Sequence, residues 1–351
     1  MRRCVISLAL MALAISGIVI AIANPVRGEP IAKKLFGKMK SPASLSARAI
    51  GSYARGCLAG GINLPISGPG WEAMKLWRNR NWGHPQLVKY LERFATEAQT
   101  IDGWPGLLIG DLAQPRGGPM ITGHKSHQIG LDADIWYRPK PPKPLSKKER
   151  ADSWSIKLAE SYGKKVISKN WKAGYVKVLK RAASYPETAR IFVHPAVKRA
   201  LCEGAGSDRA WLRKIRPWWS HNYHFHVRIK CPAGFKGCKD QKPPPVGDGC
   251  GKQLSHWMKK LDAARKWSKK KPKTPPKPKK ELRMADLPPY CRAVLNARPG
   301  RVNGAASAPL PTRRPATVPA QRAAPSRANT DAGLPWLSGV ISAPPPTRKP
   351  Q

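Results

Sequence analysis

Seven cysteines punctuate this 351-residue chain, and their placement limits its fold more than any other feature. Cys4 stands apart, ahead of an apolar run from Val5 to Ala23 that follows the basic start Met1-Arg2-Arg3. A basic start followed by an apolar stretch is the pattern of a secretory signal. An uncleaved anchor is the other reading, because the run is long for a signal. Cys4 precedes the run, so it does not fit a lipoprotein acylation site. Cleavage near Ala21 and Ala23, or near Val26-Arg27-Gly28, leaves Cys57, Cys202, Cys231, Cys238, Cys250 and Cys291. An even number in an exported chain favours three disulfides, with fifteen pairings open to six thiols. The short spacing of Cys231 and Cys238 suggests one local bridge. The expected compartment is the periplasm.

Charge then divides the chain. The formal net charge is +44, yet 41% of residues are hydrophobic, which is enough for a core. A polycation seeks polyanions. Export turns that expectation away from nucleic acid and towards an acidic wall or membrane surface. The 37 prolines and 30 glycines point to long stretches that do not pack. Residues 1–28 read as the signal or anchor and residues 29–56 as a basic leader. Residues 57–291 read as the globular domain. Within it, residues 268–280 (SKKKPKTPPKPKK) hold no acid and read as a solvated loop. Residues 292–351, rich in Pro, Ala and Arg, read as a disordered tail that tethers the protein to an acidic surface.

Inside the domain, Leu87, Leu91, Phe94 and Ala95 recur at helical spacing over Pro85 to Thr100, after a Gly-His-Pro start. Leu107 to Asp111 reads as a strand ending in a Gln114-Pro-Arg-Gly-Gly turn. Ile129 to Tyr137 alternates apolar with polar, as a strand does. Ile191 to Val193 reads as a short strand before a helix reaching Cys202, and His224 to Ile229 alternates cleanly. Segregated helices and alternating strands favour an α+β fold with a central antiparallel sheet.

Five of the eight histidines lie in two clusters: His124 with His127, and His221 with His224 and His226. Residues i and i+2 of a strand share a face, so His224 and His226 project together, about 7 Å apart. Asp132 and Asp134 do the same on the other strand. Two imidazoles and a carboxylate supply three of the four ligands of a tetrahedral zinc site, with the fourth left to water. That open position suits a hydrolase, because zinc lowers the pKa of its water towards ~7. A His-x-His pair alone is weak grounds for a site. Two clusters in strand-like segments of one exported chain are much stronger. A structural zinc favours Cys ligands, and the cysteines here are committed to disulfides.

These strings resemble those of the penicillin-insensitive murein endopeptidases, zinc peptidases grouped with lysostaphin, D-alanyl-D-alanine peptidases and the hedgehog fold. The resemblance rests on Gly-His124-Lys-Ser-His127-Gln-Ile-Gly130-Leu-Asp-Ala-Asp134-Ile-Trp136, on Gln114-Pro-Arg116-Gly-Gly, and on Pro217-Trp218-Trp219-Ser-His221-Asn-Tyr223-His224-Phe-His226-Val. It covers about residues 57–291 and leaves out the tail and the Lys/Pro loop. It implies His127, Asp134 and His226 as zinc ligands and His224 as catalytic base or transition-state stabiliser. His221 would assist His224, His124 would support the metal, and Asp132 would be a supporting acid rather than a ligand. It also implies the bridges Cys57–Cys291, Cys202–Cys250 and Cys231–Cys238.

The resemblance implies hydrolysis of the D-alanyl to meso-diaminopimelyl crosslink of peptidoglycan, without an acyl-enzyme and so without inhibition by β-lactams. A D,D- or L,D-carboxypeptidase on the same zinc, or a non-catalytic wall-binding protein, are the rivals. Arg116 suits either a substrate carboxylate or a plain turn. Trp136, Trp218, Trp219 and Tyr223 suit either the groove or the core.

Overall fold

The computed structural model describes residues 29–270 and 280–301, which belong to one folded unit. The signal or anchor, residues 271–279 of the Lys/Pro loop, and the tail from 302 onward lie outside the described residues. The described residues form seven α-helices: α1 (Ala32–Phe36), α2 (Pro85–Thr100), α3 (Lys147–Asp152), α4 (Gly174–Ser184), α5 (Pro195–Gly204), α6 (Lys252–Ser268) and α7 (Tyr290–Asn296). The first six strands are β1 (Arg48–Ser52), β2 (Arg55–Ala59), β3 (Ile62–Asn63), β4 (Ser67–Gly68), β5 (Trp71–Ala73) and β6 (Trp82–Gly83). The remaining five are β7 (Leu107–Ile109), β8 (Asp132–Pro139), β9 (Thr188–Val193), β10 (Ile215–Pro217) and β11 (His224–Ile229).

Seven strands form the main sheet in the order β10-β9-β11-β8-β7-β5-β4. The sheet is mixed rather than antiparallel. Its centre, from β9 through β11 and β8 to β7, is antiparallel, but β10–β9 and β5–β7 pair in parallel. Each parallel pair needs a crossover. One runs through α2 and the other through α5, so the helices and these pairings have one cause.

Both crossover helices start the same way. His84 and His194 stand at their N-caps, each followed by proline, and each Nδ1 accepts the backbone N–H two residues on. Proline suits the first helical position because the N–H it lacks would be unpaired there. α2 buries Leu87, Leu91, Phe94 and Ala98, and α4 buries Tyr175, Val178, Leu179 and Ala182. These side chains meet one face of the sheet: Ala133, Ile135 and Tyr137 of β8, and Phe225, Val227 and Ile229 of β11. Tyr137, Tyr175 and Phe225 stack at its middle, with ring centroids 5.7–5.8 Å apart.

Three disulfides close the chain: Cys57–Cys291, Cys202–Cys250 and Cys231–Cys238. They are the pairs that the family resemblance implies. Around the first lies a second, smaller core. Ala32, Phe36, Ala43, Ile50 and Ala59 pack there against Met284, Leu287 and Val294. Residues 29–56 are therefore not a bare basic leader, because they supply α1, β1 and four of the ten buried residues of this core. No helix among the described residues is long and apolar enough to cross a membrane.

Candidate metal centre

The opposite face of β8 and β11 is polar. Antiparallel register sets His226 against Asp134, His224 against Trp136 and Arg228 against Asp132. Directly opposed residues share a face, so alternation places five ionisable side chains of two strands, Asp132, Asp134, His224, His226 and Arg228, over one patch. All of them are buried. His127 joins from the loop before β8. Its backbone is left-handed, with φ of 65°, and its N–H donates to Asp132 Oδ2 at 2.9 Å. Such a conformation costs about 1–3 kcal/mol in a non-glycine residue and persists where the surroundings enforce it. Here they do. Gly130 turns the chain into β8, and a Cβ on it would lie 2.8 Å from the His84 backbone nitrogen.

The tautomers follow from the partners. His127 Nδ1 lies 3.0 Å from the Leu112 carbonyl, which only accepts, so Nδ1 carries the proton and Nε2 a lone pair. His226 Nε2 lies 2.9 Å from Asp132 Oδ1 and donates to it, leaving a lone pair on Nδ1. Those two lone pairs face Asp134 Oδ1, at 3.4 Å and 3.3 Å. Burial, reinforced by the neighbouring His124 ring, holds the His127 pKa below the ordinary imidazole value, so it stays neutral. His127 Nε2 and Asp134 Oδ1 have no hydrogen-bond partner among the described residues. Three acceptors turned on one another without a proton repel, and a cation among them removes the repulsion. The donor set, two nitrogens and one carboxylate oxygen, suits a divalent transition-metal ion.

His124 completes the cluster. Ligand atoms of His124, His127 and Asp134 all lie within 4.8 Å of one another, so this His-His-Asp group could hold a metal ion. His124 Nε2 meets Asp111 Oδ2 at 3.0 Å, while Nδ1 faces Asp134 Oδ2 at 3.5 Å. Burial works against a charge on His124, but the carboxylates of Asp134 and Asp111 hold its pKa above the ordinary value. Asp111 itself is buried and also receives Arg78 and Arg80, at 3.2 Å and 3.0 Å. Sequence reasoning missed these three residues. The available signal was a lone acid closing an otherwise apolar strand segment, Leu107 to Asp111.

Asp132 touches no open position. It takes His226 Nε2, a two-pronged contact from the Arg228 guanidinium at 2.7 Å and 3.1 Å, and the His127 N–H. It therefore orients two of the candidate ligands, a role such partners commonly play at metal sites. Burial opposes ionisation here, but Arg228 and His226 hold the Asp132 carboxyl far below the usual range.

Two further histidines border the cluster. His224 is buried and reaches Asp134 Oδ1 at 3.5 Å through Nε2, while its Nδ1 is unpartnered among the described residues. Burial lowers its pKa to about 4, so it is a neutral imidazole at neutral pH. His221 is only half-buried. Its Nδ1 donates to the Trp219 carbonyl at 2.6 Å, so Nε2 is free to accept. Its ring centroid is 4.9 Å from that of His224. Ser220 and His221 are both left-handed, and the His194 N–H fixes the turn by donating to the His221 carbonyl.

Other sequence candidates sort cleanly. Arg116 is buried and donates to the carbonyls of Ser41, Val294 and Leu295, so it ties α7 to the N-terminal segment. Trp136 packs in a small core with Met74 and Leu108, whereas Trp218, Trp219 and Tyr223 are exposed.

Residues 49–296 match a family described as penicillin-insensitive murein endopeptidase. Curated relatives carry the same name. The chain is 44% identical over 237 residues to that of Haemophilus influenzae, covering 66% of this chain and 80% of the relative. It is 40% identical over 259 residues to that of Klebsiella pneumoniae, and 39% identical over 264 residues to that of Escherichia coli O157:H7. Each of these alignments covers 74% of this chain and 90% of the relative.

Proposed function

The chain belongs to the penicillin-insensitive murein endopeptidase family, and we propose that it is a zinc-dependent hydrolase of the D-alanyl to meso-diaminopimelyl crosslink, working in the periplasm. The observation that carries the zinc reading is the set of three facing acceptors, His127 Nε2, His226 Nδ1 and Asp134 Oδ1. These atoms would hold the ion, with His124 Nδ1 beside Asp134 Oδ2 as the supporting donor. Bound there, zinc supplies a Lewis acid for the scissile carbonyl and an activated water.

The remaining chemistry belongs to the chain. His224, neutral because it is buried, offers a base that can take a proton at Nε2 beside the cluster. Its imidazolium, once formed, would sit next to Asp134 and stabilise negative charge on the substrate oxygen. His221, on the open side and beside His224, can receive at Nε2 the proton that His224 has taken and return it to the leaving amine. Asp132 and Arg228 keep His226 in the tautomer that the ion requires. No serine acts as nucleophile, so β-lactams have nothing to acylate.

The test is the product profile on defined muropeptides. Crosslinked dimers should become monomers, a chelator should stop the reaction, and penicillin should leave it unchanged. Release of terminal D-alanine from monomers with dimers left intact would replace this reading with a carboxypeptidase.

A further inference from the structure

We propose that Trp218, Trp219 and Trp257 form a docking surface for the glycan strand of murein, one peptide stem away from the histidine cluster. The proposal rests on murein being the substrate and deepens that reading. Trp218 is 51% exposed and Trp219 37% exposed, and Trp257 reaches them half-buried from α6. The Trp257 ring centroid lies 5.7 Å from Trp218 and 5.3 Å from Trp219, at tilted and edge-on angles. Three large rings left together at the surface mark an interaction site more often than chance. Trp77 and Trp154 are more exposed still, but neither has an aromatic neighbour among the described residues.

The position is what selects the ligand. Phe192 lies 6.0 Å from Trp218 and 5.2 Å from His226, so these two rings are at most about 11 Å apart, within the ~13 Å that four extended residues span. In murein the cross-linked D-alanine is the fourth residue from the sugar. A substrate with its scissile bond at the histidines therefore brings its sugars over the tryptophans. Pyranose rings present flat C–H faces that indoles cover, and keep their hydroxyls in water.

Charge complements this. α6 carries Lys252, Lys259, Lys260, Arg265 and Lys266, and its single acid, Asp262, is paired with Lys164 at 2.9 Å. The Lys260 ammonium lies 4.9 Å from the centre of the Trp257 ring. A helix that joins an aromatic face to a row of cations fits sugars bearing peptide stems, whose carboxylates would meet the lysines.

Trp257→Ala tests the surface without touching the histidine cluster. Two substrates are compared: crosslinked dimers with intact disaccharides, and the same crosslinked peptides stripped of sugar. The variant should raise KM for the first by about tenfold, leave KM for the second and both kcat values unchanged, and recover in Trp257→Phe. Equal effects on both substrates, or none on either, would overturn the proposal. So would loss of binding to anionic phospholipid vesicles with binding of peptide-free glycan chains intact, which would make the patch a membrane contact. If neither substrate is cleaved but the wild type binds peptide-free glycan and Trp257→Ala does not, the proposed activity fails and the glycan surface stands.

Discussion

The two faces of β8 and β11 are made by alternate residues of the same two strands, yet they hold opposite things. Ala133, Ile135, Tyr137, Phe225 and Val227 look into α2 and α4, where the packing is mainly apolar and the tyrosine hydroxyls that enter it are hydrogen-bonded, so stability accumulates. Asp132, Asp134, His224, His226 and Arg228 look the other way, where Asp134 Oδ1 and His224 Nδ1 stay buried without a partner among the described residues. A buried polar atom left unpaired costs about 1–3 kcal/mol. The first face can afford the second. The lesson is that a rigid sheet separates the part of the molecule that folds it from the part that stores unmet valence for a ligand.

Neighbouring residues of β11 give the strongest test of that separation. His226→Ala should lose bound metal and activity together, while His224→Ala should keep the metal and lose turnover by about 10²–10⁴. Both should unfold near the wild-type midpoint. Metal loss in His224→Ala would reverse the two roles. Phe225→Ala, between them on the apolar face, should lower the unfolding free energy by about 3–5 kcal/mol. Its midpoint in denaturant falls while the residual folded protein keeps its metal affinity. A Phe225→Ala protein that is stable but metal-free would erase the distinction between the faces.

Asp132→Asn is the intermediate case. It keeps the shape but weakens the acceptor that orients His226 and the His127 loop. Metal affinity should fall by about 10–100-fold, read by competition with a chelator, and added metal should restore activity.

The smallest expected effect sharpens the comparison from outside the site. Lys198 of α5 is fully buried, and its Nζ donates to the carbonyls of Leu212 and Asp248 at 2.8 Å and 2.6 Å. Burial, with the nearby Arg216 and Arg209 charges, lowers its pKa to about 7, against the partial support of Asp248. The unfolded chain holds that proton up to about 10.4. Between these values the unfolded state binds more protons, so stability rises with pH, by at most about 1.4 kcal/mol per unit. Below 7 both states are protonated and the cost is constant. Lys198→Met should remove that slope between pH 7 and 10 and leave turnover unchanged. An altered turnover would show that buried polar groups on either side of the sheet serve the reaction.

What the sequence revealed follows from periodicity. α2 and β11 were readable to the residue because each is long and regularly patterned. β8 starts at Asp132 rather than Ile129, because Gly130 turns the backbone left-handed just before it. The parallel pairs went unseen because β5 and β10 are three residues each, too short to show a pattern. The clusters of histidines were legible as a site because i, i+2 spacing is local. Asp111, Arg78 and Arg80 were not, because they meet His124 only through the fold. Residues 29–56 looked like a leader because the partners of Ala32, Phe36 and Ile50 lie some 240 positions downstream, at Met284 to Val294.

That last arrangement sets an order of events. A chain is made N-terminus first. Its first strand pairs at once with β2, but the small core around Ala32, Phe36 and Ile50 closes only when Met284 to Val294 have arrived and Cys291 can reach Cys57. Until then the sheet can assemble while the opening segment waits. A chain stopped before residue 284 would therefore present an unpaired Cys57 thiol beside an apolar edge bare of its partners.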